Sequence, residues 1–183
     1  MSWRLLYGRS PGFLLGWGIQ GRKNFSMARN HVGVVHKKLQ GYADRGVFRS
    51  FDVGDTKGSK TVFRFIWLED TPFTLVFDHD KGILQLKNLL PNVESRSFLD
   101  NALREYIGDR ANPTLPAHRR VDPKRATLRY SNRKEHVSLT LAVEKNQYSY
   151  AVTKLLNVTN ELFGHLHMYH IQYLWDNFEV PQE

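Results

Sequence analysis

The sequence predicts an α+β fold of one domain, and three observations predict it. Apolar residues recur at steps of three and four near the start of the chain and again over its last third, which is helical spacing. Between them lie runs of strict alternation bounded by turn residues, which is strand spacing. The order these periodicities take is helix, an antiparallel meander of three or four strands, helix, β-hairpin, long C-terminal helix. At 183 residues, 41% hydrophobic and 24% charged, the chain has the size and composition of an ordinary folded domain. No apolar run approaches the roughly 18 residues that would span a bilayer, so no membrane partner is expected.

Residues 1–26 lack periodicity and carry no acid, and they read as an N-terminal extension outside a domain at 27–183. They suit a transit peptide loosely. Alternatively, Met27 is the initiating residue. From Ala28 to Ala43, Val32, Val35, Leu39 and Tyr42 line one helical face. Val47 to Phe51 alternates, and Asp55 to Ser59 reads as a turn. Over Thr61 to Leu68, Phe63, Phe65 and Trp67 share one face of a strand, with Val62, Arg64 and Ile66 on the other. Strands at Phe73–Phe77 and Ile83–Lys87 flank the turn Asp78-His79-Asp80-Lys81-Gly82. Glycine closes it because such turns need a positive φ.

Ser97, with Asp100 three residues on, forms a capping box that starts a helix carrying Phe98, Leu99, Ala102, Leu103, Tyr106 and Ile107. A loop from Asp109 to Lys124 follows, kept irregular by Pro113, Pro116 and Pro123. Loops of that length are often functional. Ala126–Tyr130 and Val137–Val143 make a hairpin around Ser131 to Glu135. Asn146 then caps a helix expected to run unbroken from Gln147 to about Phe178, roughly 45–50 Å. Its core stripe is Val152, Leu155, Thr159, Leu162, Leu166, Tyr169 and Tyr173.

This element order resembles the YbjN-like and type III secretion chaperone-like families, best over Phe73 to Val93, where strand, tight turn, strand and Leu89-Leu90-Pro91-Asn92-Val93 lead into a helix. The resemblance spans about residues 28–170 and rests on element order and hydrophobic pattern. It implies a twisted antiparallel sheet flanked by helices, in a small, mostly dimeric, non-enzymatic protein that holds a segment of a protein or peptide client. An extra strand, the long Arg/Pro loop and the long last helix depart from the family pattern.

The net charge of +8 sits in two segments. Seven basic residues precede the first acid, Asp44, and the stretch Arg110 to Lys134 holds eight against Asp122 alone. The remainder is net acidic. If the loops around the hairpin lie at one end, Arg119, Arg120, Arg125, Arg129, Arg133 and Lys134 form a single polyanion-binding patch, with Tyr130 available for stacking. Nucleic-acid association through that block is the rival to peptide binding. His165, His167 and His170 with Glu161 offer imidazole and carboxylate ligands, but Glu161/His165 and His167/His170 point about 100–200° apart on a straight helix. Asp78 with Gln85-Leu86-Lys87 resembles a degenerate metal-dependent nuclease core, the basis of a remote hydrolase reading; aspartates are also ordinary turn residues. No glycine-rich phosphate loop or nucleophile setting is recognisable, so no cofactor and no catalytic residue is expected. A chain without cysteine fits a reducing compartment, and a cytoplasmic location is expected. Finally, Ile171, Leu174, Trp175 and Phe178 form a second apolar stripe at the end of the last helix. They are expected either to mediate homodimerisation or to fold back on the domain.

Overall fold

Alternating residues in the strands send one set of side chains to a common apolar layer. In a computed structural model describing residues 17–178, with side chains described from 30 onward, that layer is built on a six-stranded antiparallel sheet. Helix α1 (Trp17–Ala43) precedes strands β1 (Ser50–Lys57), β2 (Lys60–Trp67), β3 (Thr71–Asp78) and β4 (Ile83–Leu90). Helix α2 (Phe98–Gly108) and a short 3₁₀ turn (Asp109–Ala111) lead into β5 (Ala126–Arg133) and β6 (His136–Val143). Helices α3 (Tyr148–Tyr169) and α4 (Ile171–Asn177) end the described chain. The spatial order is β1-β2-β3-β4-β6-β5, so the hairpin docks its second strand on the edge of the meander. Among the described residues no helix is long and apolar enough to cross a membrane.

Register makes the two faces explicit. Val53, Phe63, Leu75, Leu86, Leu139 and Tyr130 pair in sequence across the sheet and define the inner face. Phe63, Leu75, Leu86 and Leu139 are all at most 1% exposed. The neighbouring row, Val62, Val76, Gln85, Thr140 and Arg129, defines the outer face. Val35 and Leu39 of α1 and Val152, Leu155, Leu162 and Leu166 of α3 complete the core above the inner face.

Several boundaries differ from those the sequence suggests, each for a physical reason. Helix α1 begins upstream of Ala28 and runs through Met27, and Val35 and Leu39 of its periodic stretch pack on the core. β1 runs to Lys57, into the expected Asp55–Ser59 turn, because a register shift between Val53 and Thr56 absorbs the misfit. The hairpin turn tightens to Lys134 and Glu135, both at positive φ. Gly82 does take φ +62° in its turn, as expected. Gln147, not Asn146, is the residue before α3, and its side chain makes no capping bond.

The expected single C-terminal helix is two helices. His170 leaves helical geometry at φ −142°, ψ 40°, with neither proline nor glycine to cause it. Tertiary packing supplies the cause. Leu174 is fully buried, and the Phe178 ring lies 5.4 Å from Phe163, itself 6.0 Å from Phe73 on the sheet. Tyr173 donates its hydroxyl proton to the Pro91 carbonyl at 2.6 Å, and Asn92 donates to Asn177 at 2.8 Å. Burying a Leu or Phe side chain is worth roughly 1.5–3 kcal/mol, enough to offset the few backbone bonds lost at the bend.

A buried carboxylate holds α2 against β5. Ser97 Oγ accepts from the Asp100 N–H at 3.1 Å, and the Asp100 carboxylate accepts in return from the N–H of Arg96 at 3.0 Å. The same carboxylate accepts from Tyr130 at 2.6 Å, Asn132 at 2.9 Å and Arg104 at 3.2 Å. Burial pushes the acid's pKa up, but these donors outweigh it and hold it at about 2. The folded value lies below the ordinary carboxylate value of about 3.9, so the network stabilises the fold above that pH. That stability is lost as pH falls from about 4 towards 2. Asp100→Asn should therefore lower neutral-pH stability by on the order of 2 kcal/mol, about 4–8 °C in melting temperature, and flatten the acid limb of a stability–pH profile. Thermal unfolding across pH 2–7 checks both.

Candidate functional site

Helix α2 turns Leu103 and Ile107 into the core, and this leaves Phe98, Ala102, Glu105 and Asp109 on a different face. These are spaced four, three and four residues apart and so form one stripe. The stripe faces His165 and Tyr169 on α3 and His170 at the bend. With Tyr106 and Arg110 they line an open cleft of about 470 Å³. The bend at His170 thus shapes one wall of the cleft.

Arg110 forms the floor and is 6% exposed. Its guanidinium donates to Glu161 at 3.1 Å and to the Tyr106 hydroxyl at 3.4 Å, and lies 3.7 Å from the Asp109 carboxylate. It also stacks over the Tyr106 ring, 4.1 Å from the centroid, while its Nε has no partner. Glu161 accepts a second bond from Arg119 at 3.3 Å. The His165 ring sits 4.4 Å from Tyr106, 4.8 Å from Tyr169 and 5.7 Å from His170. Burial pushes the His165 pKa down, and the charges of His170 and Arg110 push it further the same way. Burial pushes the Tyr106 hydroxyl up. The resulting surface is aromatic, with the His165 imidazole, biased towards its neutral form, at its centre and the carboxylates of Glu105 and Asp109 along its open side.

Exposure singles the cleft out. Phe98 is 83% exposed and Tyr169 65%, and Met168, next to Tyr169 in the chain, is 72% exposed. Large apolar side chains elsewhere in the described chain are mostly buried.

The Arg/Lys block does not come together as one patch. Arg125 and Arg133 stand at opposite ends of β5, some 25 Å apart at 3.3 Å per residue. Arg119 is committed to Glu161, and Arg120 donates to the Pro113 carbonyl at 3.0 Å. Arg125 donates to Gln147 at 2.7 Å and lies 3.7 Å over the Tyr150 ring. Arg129 and Arg133 point from the outer face, with Lys134 in the hairpin turn beyond them. Tyr130 points inward to Asp100 and is not free to stack on a base. The long loop is pinned as well. The buried Lys154 ammonium donates to the carbonyls of Ala117 at 2.5 Å and His118 at 3.1 Å.

The stripe expected to drive self-association is used within the chain. Leu174 is fully buried, and Ile171, Trp175 and Phe178 are half-buried, with Ile171 and Phe178 packed against the core. The histidines also regroup. The bend brings His170 beside His165, whereas His167 reaches Glu69 in the β2–β3 turn at 2.9 Å. Among the described residues no group of three or more His, Asp or Glu side chains could hold a metal. Asp78 and Asp80 serve their turn, accepting from the Lys81 N–H at 3.3 Å and lying 2.9 Å from His79 respectively.

Sequence reasoning missed Phe98, Tyr106, Arg110 and Glu161 as a group. The signal was the stripe at 98, 102, 105 and 109, hidden because Phe98 reads as a core residue of the same helix. No family description, no curated protein and no solved structure matches this chain.

The burial of His165, with the charges of His170 and Arg110 beside it, has a direct consequence. His165 should titrate below the ordinary histidine value of about 6.5. His170→Gln should move its midpoint upward, because a neighbouring positive charge is removed from the protonated state. A proton NMR titration of the imidazole resonances measures this, and an unmoved midpoint would show that the two rings do not interact.

Proposed function

We propose that this protein is a non-catalytic module that binds a segment of a protein or peptide partner in the cleft between α2 and the α3–α4 junction. One observation carries the reading: Phe98 and Tyr169, at 83% and 65% exposed, flank a concave aromatic cleft while the rest of the described apolar complement is largely inside. Large aromatics left in water around a cleft mark recognition surfaces, since they offer contact area at little entropic cost. The chemistry of the walls describes the segment. An aromatic or aliphatic side chain enters among Phe98, Tyr106 and Tyr169, and a flanking Lys or Arg meets Glu105 and Asp109 on the open side. The resemblance to secretion chaperone-like proteins, whose members hold client segments, supports the same reading. Self-association through Ile171, Leu174, Trp175 and Phe178 is not part of it, because Ile171, Leu174 and Phe178 are packed against the chain's own core.

A displayed library of random short peptides should yield binders that combine an apolar anchor with a basic neighbour. Phe98→Ala and Tyr169→Ala should each weaken those binders about tenfold or more, roughly 1.4 kcal/mol, with unchanged melting temperature. Binding that survives both substitutions would place recognition elsewhere.

A further inference from the structure

The outer face of the sheet carries a second surface, on the opposite side from the cleft. Among the described residues no helix packs on it: α1 stacks His36 against Phe51 and Phe63, α2 is tied to Tyr130 and Asn132, and α4 meets Phe163, all through the inner face. Register places Lys60 and Arg64 of β2, Lys87 of β4, and Arg129 and Arg133 of β5 on this uncovered face, every one exposed. Two acids share it. Asp52 lies 3.7 Å from Arg64, and Asp78 is buried in its turn at 6% exposed. Ser131, Ser138, Thr140, Gln85 and Thr74 lie between the cations, together with Val62 and Val76 on β2 and β3. Gly54 belongs to the arrangement too. A Cβ there would run into Arg64 Nη1, so any other residue at this position would shift the guanidinium from where it rests beside β1.

Strand order fixes the spacing. Two strand intervals separate Arg129 from Lys87, and two more separate Lys87 from Arg64. At about 4.8 Å per interval the cations span roughly 20 Å. A nucleic-acid duplex presents one phosphate per ~1.7 Å of axis, both strands counted, so a span of that width runs past about a dozen, of which the near side offers enough for each of the four cations. A second copy of the same face is a poor occupant, because a two-fold contact would set these cations against each other. Every Phe, Tyr and Trp of the sheet points inward, and His136, paired with Arg133 at the hairpin end, is the one aromatic ring the register places on the outer face. A lone imidazole at one edge is no platform for a run of unstacked bases, whereas a phosphate backbone finds charges and hydroxyl or amide donors.

We propose that the outer sheet face binds the sugar–phosphate backbone of double-stranded nucleic acid, without base readout, through Arg64, Lys87, Arg129 and Arg133. This goes beyond the peptide cleft and rests on none of its residues. The test uses the full chain with a short DNA duplex, a single strand of the same length, and vesicles of anionic phospholipid. Wild type should bind the duplex at about 50 mM salt, with log K falling against log salt at a slope of about −3 to −4, the value for three or four phosphate contacts. Arg64→Gln/Lys87→Gln/Arg129→Gln should weaken duplex binding tenfold or more and reduce the slope to about −1. Lys124→Gln, in the proline-rich loop, should change neither. All three positions of the triple variant are exposed, and an unchanged melting temperature verifies its fold; Arg64→Lys/Arg129→Lys should retain the slope. Absence of duplex binding, an unaltered slope in the triple variant, tighter binding to the single strand, or preference for the vesicles would each overturn the proposal.

Discussion

A six-stranded antiparallel sheet has two faces, and this sequence makes only one of them strongly apolar. Phe63, Phe65, Phe73, Leu75, Phe77, Leu84, Leu86, Leu139 and Leu141 all project to the same side and are at most 3% exposed. Helices α1 and α3 are held there because that is where apolar area can be removed from water. The other consequences follow from this asymmetry. The helical layer has to stay over the inner face, so the chain turns at His170 and does not project α4 into solvent. The turn in turn sets Tyr169 and His170 opposite α2. The outer face, relieved of any packing duty in the described chain, is free to carry charge.

The stripe and the cleft illustrate how a local pattern is redirected by packing. Ile171, Leu174, Trp175 and Phe178 repeat at helical spacing, and an unbroken helix would display them as an adhesive end. A non-helical His170 costs little beside the burial of Leu174 and the contact of Phe178 with Phe163. No residue at the bend announces it, since His170 is neither proline nor glycine. Conversely, Asp100 reads only as the acid of a capping box and is 1% exposed, because Tyr130 and Asn132 arrive from β5 to satisfy it. Phe98 reads as core and is the most exposed large apolar residue described.

What the sequence reveals is therefore local: strand alternation, the Asp78–Gly82 turn, the Ser97 cap, and the order of elements. The pairing of β6 with β4, the bend at His170 and the division of the Arg/Lys block between two faces depend on contacts between residues far apart in the chain. Periodicity carries no such information. Arg129 and Arg125 look equivalent in the sequence, yet alternation sends Arg129 to the open face, while Arg125, just outside the strand, bonds Gln147 beside α3. The cleft is legible only in hindsight, from the second stripe on α2.

The asymmetry of the sheet can be measured with two adjacent residues of similar size. Leu84 and Ile83 follow one another in β4, Leu84 pairing with Phe77 and Leu141 on the inner face and Ile83 pairing with Asp78 and Ala142 on the outer. Equilibrium denaturation should show Leu84→Ala losing about 2–5 kcal/mol, as expected for a cavity in a close-packed core. Ile83→Ala, half-exposed already, should lose less than half as much. Equal losses at the two positions would mean that both faces are packed, and would contradict the one-sided architecture on which the cleft and the open face depend.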